Sequence, residues 1–172
     1  MELLEDNMAT ITPVYGTKVT MTIGLATTPL ASDTNLLAGR QSTAVDNKDT
    51  DDAIDCLVGG LVTTGATPTA SRLIGVFAYG SYDDTSFPGD LTGSDGDITV
   101  LSLSLLQLLT WIPTTNTANE GYTWGPYSVA QAFGGILPVR WGIFIVHNTG
   151  VALNGTAGNH EVEYFPVKFE TA

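Results

Sequence analysis

The sequence predicts an all-β domain, an antiparallel two-sheet sandwich, and three observations carry that expectation. Apolar and polar residues alternate over short runs, long polar loops with 19 glycines spread among them separate those runs, and hardly any stretch holds a helical period. A chain of 172 residues suffices for one domain with one core.

Taken in order, residues 1–12 read as a loose acidic arm carrying Leu3, Leu4, Met8 and Ile11, and residues 13–172 as the single folded domain. Thr17 to Ile23 alternates, with Val19, Met21 and Ile23 on one face, and ends at Gly24. Gly39 to Val45 and Ile54 to Val62 follow as extended stretches, separated by the acidic turn from Asp46 to Asp52. Ser71 to Tyr82 is a strand rich in β-branched and aromatic residues. The segment from Ile98 to Ile112 fits both periods and is read as strands interrupted by a helical turn. Ser128 can cap one short helix from Val129 to Phe133, closed by Gly134. Two strands end the chain: Leu137 to Asn148, apolar on both faces, and Glu161 to Phe169. About eight strands with at most one or two short helices make a jelly roll the leading topology, with an immunoglobulin-like sandwich still open.

Composition narrows the function. Only 14% of residues are charged, so the surface relies on Thr, Ser, Asn and Gly, neutral groups that lose less than ions on leaving water when a partner covers them. A net charge of −12 opposes contact with nucleic-acid phosphates and anionic membrane surfaces. Cys56 is the one cysteine, which excludes an internal disulfide, and it reads as a small buried hydrophobe. No run is long and apolar enough for a membrane helix, and Met1 to Asp6 lacks a basic, then apolar, leader; synthesis and folding in a cytoplasm are expected.

No catalytic motif is present, so no catalytic residue, metal or cofactor is expected and the chain reads as a non-enzyme. Its imidazoles are His147 and His160, and His147, at a strand end, reads as a hydrogen-bonded structural group rather than a pH switch. The carboxylates of Asp46, Asp49, Asp51, Asp52 and Asp55, and those of Asp95 and Asp97, read as turns, with calcium a second reading. Asn154-Gly155-Thr156 reads as a turn rather than a glycosylation site. Tyr122, Trp124 and Tyr127 flank turn residues and could fill the core, stack on a sugar or anchor an interface. Trp141, Ile143, Phe144 and Ile145 need a cover on each strand face, one from the opposing sheet and the other from a neighbouring subunit or the core. Trp124, Tyr127 and these four are the interface candidates.

Three segments carry a family resemblance: Leu36-Leu37-Ala38-Gly39-Arg40-Gln41-Ser42-Thr43-Ala44-Val45-Asp46-Asn47, the stretch from Gly125 to Pro138, and the stretch from Trp141 to Gly150. With the loops between, the chain from about Gly24 to Phe169 resembles the small jelly-roll proteins of tailed bacteriophages that decorate or cement the capsid exterior. The resemblance implies a homotrimer that bridges subunits of the major capsid protein on the outside of a virion. The alternative expectation is a sugar-binding jelly-roll module of a phage tail or baseplate.

Overall fold

The computed structural model describes residues 10–171, apart from the side chains at 50 and 51. Among them, alternation of side chains builds eleven strands: β1 (Ile11–Tyr15), β2 (Val19–Thr20), β3 (Ala38–Gln41), β4 (Val45–Asp46), β5 (Asp55–Thr63), β6 (Arg72–Ser81), β7 (Gly96–Thr99), β8 (Gln107–Thr114), β9 (Gly121–Ser128), β10 (Arg140–His147) and β11 (Glu161–Thr171). Helical structure is confined to single turns at Asn47–Asp51 and Leu103–Leu105 and to the helix α1 (Val129–Ala132).

The strands form two antiparallel sheets, one ordered β1-β11-β5-β9 with β2 also on β11, the other β7-β3-β10-β6-β8 with β4 also on β10. β1 with β2, and β3 with β4, act as two interrupted strands. With β7 set aside as an addition to the edge, the sheets then run 1-8-3-6 and 2-7-4-5 in chain order. Strands thus cross repeatedly from sheet to sheet, which is the jelly roll; an immunoglobulin-like sandwich would keep more sequential hairpins within a sheet.

The inner core fills the gap between the sheets. Trp141, Ile143 and Ile145 of β10 and Ile74, Val76 and Ala78 of β6 meet Cys56, Val58 and Val62 of β5 and Val162 and Tyr164 of β11. The Trp141 and Tyr164 rings meet edge to face, 5.2 Å apart. A second cluster lies on the other face of the β10 sheet, where Phe144, Val146, Phe77 and Tyr79 are covered by Leu91, Val100 and Leu106. The second sheet is therefore buried on both faces by its own chain. Gly142 is required there, since a Cβ would stand 2.4 Å from the Tyr79 ring, whose hydroxyl donates to Ser42 O at 2.6 Å.

Several elements differ from the sequence expectation for physical reasons. Ile11 and Thr12 belong to β1 rather than to an arm, pairing with Thr171 and Glu170; Leu3, Leu4 and Met8 lie outside the described residues. Thr17 to Ile23 keeps its alternation, but only Val19–Thr20 is regular strand. Met21 N–H still donates to Val162 O at 2.8 Å before the chain turns toward the other sheet, where Thr43 N–H donates to Thr22 O. The Gly39 to Val45 run breaks at Ser42, whose Oγ accepts from Ile143 N–H at 3.0 Å, so a side chain replaces the backbone in the ladder. β9 is a strand that Gly125 and Pro126 disguise as a turn. It lies at a sheet edge with a bulge opposite Val58 to Gly60, where proline is tolerated.

Candidate interaction surface

The interface candidates do not form a surface. Trp141, Ile143, Phe144 and Ile145 are each 0% exposed, because the stretch from Phe87 to Leu106, with Leu36 and Leu37, supplies the second cover expected from a neighbouring subunit or the core. Trp124 is buried and stacks on Tyr127 with 14° between ring planes; both pack against the inner core, as does Tyr122. The Tyr122 hydroxyl donates to Glu120 and accepts from Thr115 N–H at 2.9 Å. An aromatic platform for a sugar ring is thus turned inward.

Both imidazoles are engaged within the fold. His147 is fully buried, its Nε2–H donating to Leu30 O at 2.9 Å and its Nδ1 lying 2.9 Å from Thr149 Oγ1; burial holds its pKa below the ordinary value. His160 donates from Nε2 to Asn154 O at 2.7 Å and accepts from Thr63 N–H at Nδ1, an arrangement that requires the neutral ring. Asn154 in turn accepts from Thr156 N–H and from the Asn159 amide, which makes its sequence a turn.

Asp95 and Asp97 clamp Arg40. The guanidinium donates to both oxygens of Asp95, at 2.8 and 2.9 Å, and to Asp97 at 3.0 Å. Burial would raise the Asp95 pKa, but the Arg40 guanidinium and the Gly24 N–H outweigh it and hold the carboxyl below its ordinary range. In the acidic turn, Asp46 accepts from Asp49 N–H and pairs with Arg140, while Asp55 accepts from Ala130 N–H at 2.8 Å and so caps α1 together with Ser128. Among the described residues, no three of His, Cys, Asp and Glu gather as a metal site would require.

Apolar surface collects instead at the end of the sandwich that carries α1. A groove of about 720 Å³ runs between Tyr82, Leu105 and Phe133, with Tyr82 and Phe133 edge to face at 6.3 Å. A second, of about 660 Å³, lies across α1 between Ile54 and Phe169, and a third reaches Leu108. Tyr82 is 61% exposed, and Ile136, in the loop that follows α1, 71%. Sequence reasoning missed these residues because most of them sit at the ends of the periodic runs, where the period does not say whether a side chain is covered, and Ile136 lies in a loop between them. The one local signal is Ile136 between Gly134-Gly135 and Pro138, an apolar side chain on a turn.

Comparison of the chain with protein-family models, with curated proteins and with solved structures finds no match.

Proposed function

We propose that this chain is a non-catalytic virion structural protein, a homotrimer that decorates the outer surface of a tailed-phage capsid and bridges subunits of its major capsid protein. The reading rests on the sequence resemblance. The observation that supports it is a jelly roll whose two histidines and aromatic cluster are tied up internally while the α1 end exposes apolar side chains around two grooves. A protein that only had to stay soluble would gain nothing from that end. A building block uses it, and a trimer presents it three times, so weak single contacts add up.

The reading places the protein on the capsid exterior after synthesis in the host cytoplasm. It is tested by sedimentation of the purified protein, followed by co-sedimentation with capsid shells that lack it. A trimer that binds shells supports the reading; a monomer, or a trimer that leaves shells bare, removes it.

A further inference from the structure

We infer that the α1 end of the sandwich docks a protein surface of a definite kind, an apolar knob rimmed by lysine or arginine. The assignment deepens the assembly reading and rests on it.

Gly16 N–H donates to Pro166 O, so by alternation the nitrogen of Pro13 points away from β11 to the open edge of β1. Leu73 spends its N–H and C=O on Asn148, which leaves Pro113, opposite it, with its nitrogen on the open edge of β8. Pro126 lies in edge strand β9, and β7 is only four residues long. Prolines and shortness blunt strand addition at all four edges, so a partner must use a face or an end.

Of the two ends, the one around α1 carries the grooves of about 720 and 660 Å³, while the opposite end has one of about 430 Å³ between Leu30 and Ile98. The α1 end is also acidic. Arg140 pairs with Asp46 and Asp84, and Lys48 with Asp84, while Asp49, Asp52, Asp83 and Asp90 are exposed and pair with no cation among the described residues. Asp83 accepts from Ser81 Oγ and from the N–H groups of Thr85 and Ser86, which hold its carboxyl well below the usual carboxylate range and keep it ionised.

Charge selects the occupant. A second copy docked through a two-fold axis would set the same acidic rim against itself, its other surfaces share a chain net charge of −12, and anionic lipid or nucleic acid would be repelled in the same way. A cationic rim around an apolar centre satisfies both halves of the surface, with the Tyr82–Phe133 groove as the pocket for an anchoring side chain.

The test is an amide-shift NMR titration with a short synthetic peptide of alternating leucine and lysine, and separately with its leucine and glutamate counterpart. The lysine peptide is expected to move the amides of Tyr82, Asp83, Leu105, Phe133 and Ile136, and to bind less tightly as salt rises. Tyr82→Ser with Ile136→Ser, both exposed, is expected to weaken it about tenfold, with circular dichroism showing the fold retained. Tyr15→Ser with Phe165→Ser, exposed on the outer face of the β1-β11-β5-β9 sheet, is expected to leave binding unchanged. Shifts centred elsewhere, equal binding of the glutamate peptide, or dissociation of the protein's own oligomer by the Tyr82/Ile136 variant would each overturn the inference. Because the peptides contain no capsid component, failure here and failure of shell binding are read separately.

Discussion

At the scale of single residues, the polar groups that hold this fold are few and heavily used. Arg40 has a side chain only 10% exposed and joins β3 to the Asp95–Asp97 turn through three donated hydrogen bonds. Arg40→Ala is expected to cost about 3 kcal/mol in chemical denaturation, since it strands the Asp95 carboxylate. Asp97 is half exposed, so Asp97→Asn should cost less than about 1 kcal/mol. Acid should expose the two histidines in turn. Burial holds both pKa values below the ordinary 6.5, so the unfolded chain takes up protons first as pH falls. Stability is then fully present above 6.5 and is lost progressively from there down to the folded values. Asp33, held low by the N–H groups of Ala38, Asn35 and Leu37, adds a further loss below 3.8. Thermal midpoints at about pH 5 should fall below those at about pH 7.5, and His160→Gln should flatten part of that slope.

At the scale of elements, proline placement decides how the sheets end. Pro113 is exposed on edge strand β8 and withholds one donor from the open side. Pro113→Val restores that donor without touching the core. The expected result is concentration-dependent association beyond the wild-type state in sedimentation velocity, with a change in stability of less than about 1 kcal/mol. The short helix was legible in advance because its chemistry is local: Gln131 N–H donates to Ser128 Oγ at 3.0 Å, and Gly134 adopts a φ of 81°. The second cap, Asp55, was not legible, since its acidic neighbours in sequence mask a partner brought by the fold.

At the scale of the whole molecule, the two sheets are unlike. The β10 sheet is sealed on its outer side by the stretch from Phe87 to Leu106, while the β11 sheet exposes Tyr15, Phe165 and Phe169 on its outer face. That stretch is a layer of the core rather than a surface loop. Leu91→Ala is therefore expected to cost about 2–4 kcal/mol, read by denaturant unfolding. A value within about 0.5 kcal/mol, typical of surface substitutions, would show that the layer is only draped over the sheet.

The strand periods, the β class, the double-sided apolar character of β10 and the Ser128 to Gly134 turn are legible from the chain alone, because each depends on residues a few positions apart. Tertiary structure decided what covers each face. A period of two says that Phe144 and Ile145 point opposite ways, but not that Leu91 and Leu106 arrive over the former. Exposure at the α1 end has the same origin. Tyr82 and Ile136 look like any other apolar residue in sequence, and they stand open because no element of the described chain packs over them.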